Sequence, residues 1–152
     1  TLYQTRGEVP EGVDVLEPLG KSKVQREGDA VTIVAYSKMV QAALQAADML
    51  AEDGIEAEVV DLRSLRPLDM DPVIESFKRT NRAVVAEEGW RSYGIGAEVS
   101  ARIYELAFDY VDAPVKRVAQ AEVPLPYNAE LEQLALPQTE DIYRAAKEVV
   151  NG

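Results

Sequence analysis

The sequence predicts an α/β domain: a mainly parallel β-sheet with helices on both faces. Three observations lead there. Short apolar runs rich in β-branched and small residues (Val31 to Ala35, Val59-Val60, Val84-Val85-Ala86) read as strands buried on both faces. Between them, apolar residues recur at helical spacing, as in Val40, Ala43, Ala47 and Leu50. Strand and helix alternate along the chain, and that order implies βαβ crossovers.

Residues 1–20 read as a linker, punctuated by Gly7, Pro10, Gly12, Pro18 and Gly20. The chain does not begin with Met, so it is expected to be a segment of a longer protein, with a domain upstream and the folded domain at 21–152. Lys21 to Glu27 is expected to be an antiparallel edge strand, beside strand 31–37 or its neighbour. The Gly28-Asp29 turn is too short for a parallel crossover, which needs about a dozen residues. A helix is expected over 38–53, stopped by Gly54, followed by a strand over 55–62. Asp71 is placed to cap a short helix, with Pro72 at its first position and Ile74 and Phe77 facing inward. A strand over 82–87 precedes a helix over 97–110, with Val99, Ile103, Leu106 and Tyr110 on one stripe. Pro114 stops any continuation, and 115–118 is the fifth strand. Residues 122–137 are expected to be irregular because of their prolines. Thr139 is placed to cap a last helix, with Glu140 and Asp141 in its first turn and Ile142, Ala146 and Val149 inside.

Composition excludes several chemistries. The 152 residues carry 16 Lys plus Arg against 27 Asp plus Glu, a net charge of -11, with no His and no Cys. Such an acidic chain repels nucleic acid and anionic membranes, and suits a basic protein partner if its charge serves more than solubility. Without Cys there are no disulfides, thiolates or Cys-type zinc sites. Without His the commonest general base and metal ligand are missing. No apolar run approaches the roughly 20 residues of a membrane span.

The remaining candidates sit where the strands end, since ligands of open α/β sheets gather at carboxyl edges. Asp61, Arg63, Glu87, Glu88 and Trp90 should share that edge. Glu87 and Glu88 are adjacent on a strand and point to opposite faces, so they do not converge as an acid–base pair. One of them is better placed to cap a helix or pair with an Arg. Gly94-Ile95-Gly96 resembles half of a dinucleotide fingerprint, but Val99 stands at the third glycine position. The glycines then serve close packing of a helix N-terminus against the sheet or a neighbouring subunit. Asp61 lacks the acidic cluster of a phosphoacceptor, which leaves a structural ion pair or cap for Asp61 and Arg63. Ser37, Ser92 and Ser100 have no His for a triad, and Ser37-Lys38 lacks the spacing of a dyad. Trp90, Tyr93, Pro124, Pro126 and Tyr127 either cover the domain's own sheet edge or form a protein interface.

Taken together, Ile33 to Tyr36, Val59 to Asp69, Glu87 to Trp90, Gly94 to Glu98, Asp112 to Val115 and Val123 to Tyr127 resemble the C-terminal domain of the β subunit of E1 2-oxoacid dehydrogenases. The linker run Gly7 to Gly12 is similar as well. Glu87-Glu88-Gly89-Trp90 and Leu131 to Pro137 look most like the pyruvate dehydrogenase branch. Ser37-Lys38-Met39 departs from the smaller turn of many relatives. The resemblance implies a transketolase C-terminal-like fold: three layers, α/β/α, around a five-stranded sheet whose first strand is an antiparallel edge. It implies an assembly element of an enzyme that decarboxylates pyruvate with thiamine diphosphate and Mg²⁺ and acetylates the lipoyl groups of E2. No catalytic, cofactor-binding or metal-binding residue of the family maps onto this segment, which alone is expected to be inactive. Implied partners are an E1 α subunit, a second E1 β subunit and the basic subunit-binding domain of E2. The β–β contact is expected around Trp90, Tyr93, Gly94, Gly96, Glu98 and Tyr127. The enzyme would work in a bacterial cytoplasm, or in a mitochondrial matrix or plastid. The rival readings are the same domain of a branched-chain or acetoin dehydrogenase, and a free-standing flavodoxin-like binding module.

Overall fold

The computed structural model describes residues 16–152. Most of the expected linker, including Gly7 to Gly12, therefore lies outside the described residues. In chain order the elements are β1 (Lys23–Arg26), β2 (Val31–Ala35), α1 (Met39–Glu52), β3 (Ala57–Asp61), α2 (Asp71–Thr80), β4 (Ala83–Trp90), α3 (Ile95–Ala107), a 3₁₀ turn (Phe108–Tyr110), β5 (Lys116–Gln120), α4 (Ala129–Ala135) and α5 (Thr139–Asn151).

The five strands form one sheet in the order β1-β3-β2-β4-β5. β1 is antiparallel to β3 and lies at the edge, and the other pairings are parallel. The short Gly28-Asp29 connection thus leads into the centre of the sheet, and β1 pairs with the neighbour of β2. Gly28 is required there, because a Cβ would overlap the Ala57–Glu58 peptide.

Two cores explain the three layers. Val31, Ile33, Ala35, Val59, Val84 and Ala86 face α1 and α5. Val34, Val60 and Val85 face α2 and α3, against Phe77, Val99 and Ile103. The alternation along each strand splits its apolar residues between the two faces, so the central strands read as unbroken apolar runs. One polar cluster is buried: the Thr32 hydroxyl bonds those of Ser76 (2.7 Å) and Thr80 (2.8 Å).

Four local expectations change. Residues 129–135 form α4, started by Asn128, whose side chain accepts from the amides of Glu130 and Leu131. The cap overrides the proline punctuation on either side. Gln138, not Thr139, caps α5, in a reciprocal box with Asp141. Met70, not Asp71, precedes α2, and the Asp69 carboxylate accepts from the Asp71 amide. α3 starts at Ile95 and buries Val99, Ile103 and Ala107, which leaves Leu106 exposed on the neighbouring face, and it tightens after Ala107 into the 3₁₀ turn that leaves Tyr110 exposed.

The order of the strands fixes where a site can be. From central β2 the chain passes to β3 on one side, then crosses to β4 on the other. The switch point lies at the carboxyl ends of β2 and β4.

Candidate functional site

Register places Ala35 level with both Asp61 and Ala86, so Tyr36 and Glu87 stand at the rim of the switch point. The β4–β5 pairing is irregular between Ala86 and Trp90. Such an irregularity re-aims the side chains of an extending strand.

Glu87 and Glu88 part there. Glu88 reaches Lys38, at 3.5 Å, just before α1. Glu87 turns to the N-terminus of α3, where its Oε1 accepts from the Gly96 amide at 3.1 Å. It is 1 % exposed. Burial raises its pKa above the ordinary carboxylate range; the amides of Gly96 and Ile95, the Arg117 guanidinium and the Tyr36 hydroxyl oppose that rise. Tyr36 is in turn pushed up, first by burial and then by the Glu87 charge. The second carboxylate oxygen, Oε2, has no hydrogen-bond partner within normal geometry.

The half-fingerprint now has a physical reason. A Cβ on Gly94 would come within 2.5 Å of Glu87 Oε1, and one on Gly96 within 2.6 Å of the same atom. Both glycines make room for the Glu87 carboxylate. A helix N-terminus at a switch point is a ready anion site, and here the chain fills it with its own side chain. Sequence reading named the glycines and foresaw a capping glutamate without joining the two.

Asp61 and Arg63 are structural. Asp61 Oδ1 accepts from the Arg63 amide at 2.9 Å, and the Arg63 guanidinium pairs with Glu17 at 2.6 Å. Ser92 donates its amide and hydroxyl to Glu122, which lowers the Glu122 pKa, and Ser100 bonds the Gly96 carbonyl. Among the described residues no group of three or more carboxylates is placed to hold a metal ion.

The aromatic set stands at the end of β4 and on the loops that follow β4 and β5. The Trp90 indole N–H donates to the Val123 carbonyl at 3.2 Å, joining the loops that follow β4 and β5. Trp90 remains 51 % exposed, and Tyr93 and Tyr127 are wholly exposed. Tyr93 is also held at φ 60°, a conformation unusual for an aromatic residue. Glu98 is exposed and pairs with Arg102 at 2.7 Å, whereas Gly96 is buried. Trp90, Tyr93 and Tyr127 are thus at the surface, whereas Gly94 and Gly96 lie against Glu87.

The filled switch point and the α/β/α layers define a class. The transketolase C-terminal domain family matches residues 20–142. The chain belongs to that family. Within it, the chain is homologous to the β subunits of pyruvate dehydrogenase E1. It is 56% identical over 130 residues to the mitochondrial pyruvate dehydrogenase E1 component subunit beta-2 of Oryza sativa subsp. japonica, across 86% of this chain and 35% of that protein. It is 51% identical over 148 residues to the E1 subunit beta of Rickettsia bellii, across 97% of this chain and 45% of that one. The chain thus spans less than half the length of these relatives. Among solved structures, a split gene transketolase, described as an inactive beta4 tetramer, superposes with a TM-score of 0.78 at 33% identity, covering 96% of this chain and 47% of that one. The 2-oxoglutarate:ferredoxin oxidoreductase of Magnetococcus marinus shares the fold, with a TM-score of 0.58 at 16% identity over 86% of this chain and 20% of that one. No described helix is long and apolar enough to cross a membrane.

Proposed function

We propose that this chain serves as the C-terminal assembly domain of a pyruvate dehydrogenase E1 β subunit. The observation that carries the reading is the 51% identity over 97% of the chain to such a subunit. The whole enzyme would decarboxylate pyruvate with thiamine diphosphate and Mg²⁺ and pass the acetyl group to E2 lipoyl groups. Among the described residues, the natural diphosphate position is taken by a side chain. The α3 N-terminus, where a diphosphate would be met, already holds Glu87. Thiamine diphosphate would therefore be held elsewhere in the whole enzyme, and the segment alone would be inactive. Titration calorimetry with thiamine diphosphate and Mg²⁺ tests that part, and saturable micromolar binding would refute it.

The exposed aromatics suggest how assembly works. Trp90, Tyr93 and Tyr127, flanked by Gly94, Gly96 and Glu98, would meet the same patch of a second β subunit around a two-fold axis. The E1 α subunit and the basic E2 domain would use other surfaces of this acidic domain. Truncating a Trp at an interface centre commonly costs more than about 2 kcal/mol. Trp90→Ala is therefore expected to weaken self-association more than about tenfold, read by sedimentation at several concentrations in about 0.15 M salt. A strict monomer at high concentration, or a dimer indifferent to the substitution, refutes the placement while leaving the family reading intact.

A further inference from the structure

Against the acidity of the whole chain, one depression is basic. It has a volume of about 290 Å³ and is lined by Arg91, Lys116, Arg117 and Arg144, with Asp141, Ala145 and Glu148. Four cations face two carboxylates there, and both carboxylates are already engaged. Glu148 pairs with Lys116 at 2.7 Å, and Asp141 pairs with Arg144. Lys116, and secondarily Arg144, hold the Glu148 carboxyl below its usual range.

Arg91 and Arg117 make no close ion pair, although Glu87 attracts Arg117 and Glu122 attracts Arg91 from farther away. Neither has a carboxylate within 4 Å among the described residues, whereas most of the described cations do. Arg117 is half-buried on β5, the sheet edge that pairs only with β4. Its Nη1 donates to the Arg91 carbonyl at 3.0 Å, which fixes the guanidinium and leaves other N–H groups free. A guanidinium held in place loses little further entropy when it takes an oxyanion.

We infer that this depression is a binding site for a phosphate group, with Arg91 and Arg117 as its main donors and Lys116 and Arg144 supplying positive charge. The convergence favours phosphate over a carboxylate. One planar carboxylate is satisfied by a single guanidinium fork, whereas a tetrahedral phosphate accepts from several directions and carries up to two charges. The volume admits a phosphate together with a small organic group. The overall charge of -11 gives such a ligand no long-range attraction, so binding is local, modest and salt-sensitive.

The test is an NMR titration of the full 152-residue chain with inorganic phosphate, glycerol phosphate and a hexaglutamate peptide in parallel. Saturable amide shifts centred on Arg91, Lys116 and Arg117 are expected with phosphate, and stronger ones if the organic group of glycerol phosphate also seats. Binding should strengthen as glycerol phosphate loses its second proton near about pH 6. Arg117→Gln should weaken it about tenfold. Because Arg117 also holds the Arg91 carbonyl, Arg91→Gln, which keeps that carbonyl and replaces an exposed side chain, is the second variant and should weaken it several-fold with the fold unchanged. Shifts spread over all surface cations alike would overturn the proposal, as would binding untouched by both substitutions. Shifts produced by hexaglutamate and not by either phosphate would overturn it in favour of an acidic protein partner.

Discussion

Glu58 and Glu87 are both about 1 % exposed, yet the two ends of the sheet treat them differently. Glu58 sits near the start of β3, and Arg79 from α2 closes on both of its oxygens, at 2.6 and 2.7 Å. Glu87 sits near the end of β4 and has no cation in salt-bridge contact, Arg117 acting on it only from farther away. Its charge rests on the amides at the start of α3, with one oxygen unpartnered. At the amino end a charge pair locks a helix to the sheet. At the carboxyl end a carboxylate without a close ion pair shapes the loop that carries Trp90 and Tyr93. Buried charge is tolerated in both places because something polar faces it, but only the first arrangement involves full neutralisation.

The largest way to break the comparison is to remove Arg79. Arg79 is 53% exposed in its side chain and Glu58 only 2%. Arg79→Ala would strand Glu58, whose other polar neighbour is the Gly28 amide at 3.4 Å. Full removal of one partner from a buried pair costs about 3–5 kcal/mol; because Arg79 is half in water, about 2–3 kcal/mol is expected. Glu58→Gln should cost less, since the guanidinium it releases returns to solvent. Urea unfolding of both variants measures the asymmetry, and equal losses would show that the pair is not the lock described here.

Next in size is Gly96→Ala. The added methyl would press on Glu87 Oε1 at 2.6 Å and Cδ at 3.3 Å. The carboxylate is buried and bonded to the Gly96 amide, so moving it aside disturbs that bond and the packing around it. Overpacking of this kind costs about 1–3 kcal/mol. The Trp90–Tyr93 loop should shift with it, visible as a change in Trp fluorescence. A variant as stable as the parent with unchanged fluorescence would mean that the glycines are not there for Glu87.

These two regions also show what sequence can carry. The strands and the helices α1, α2 and α5 were legible because apolar periodicity is a local property, and the antiparallel edge followed from a turn length. α4 was missed because Pro124, Pro126 and Pro137 dominate the stretch, although Asn128 before Ala129-Glu130-Leu131 was a usable cap signal. The sequence pattern misplaces Tyr110 because periodicity cannot foresee a switch to 3₁₀ geometry, and Leu106 because helical spacing alone does not decide between it and Ala107 as the inward neighbour of Ile103. The Gly94-Ile95-Gly96 motif was visible, but its ligand is a side chain brought up by a strand extension that only pairing register reveals. The Arg79 lock and the Arg91–Arg117 depression depend on contacts between distant elements, and no spacing in the chain announces them.

The smallest expected effect is a slope rather than a step, and it sharpens the contrast most. The pKa of folded Glu87 is raised by burial. A carboxyl raised above its unfolded value favours the folded state while protonated. Its contribution is complete below the unfolded pKa and is lost as pH rises through the folded one. Glu122 and Glu148 have lowered values and act with the opposite sign, their contributions fading as pH falls. Total stability therefore mixes both trends, and only a difference isolates Glu87. Glu87→Gln keeps the shape and an acceptor for the Gly96 amide but cannot ionise. The parent's stability minus that of Glu87→Gln should fall as pH rises from the ordinary carboxylate range through the raised folded pKa, then flatten above it. Urea unfolding at half-unit steps from about pH 4 to pH 8 would trace the difference. A difference that stays flat, or that rises with pH, would mean that the amides of α3 hold Glu87 ionised as firmly as a guanidinium would, and the distinction between the two ends of the sheet would disappear.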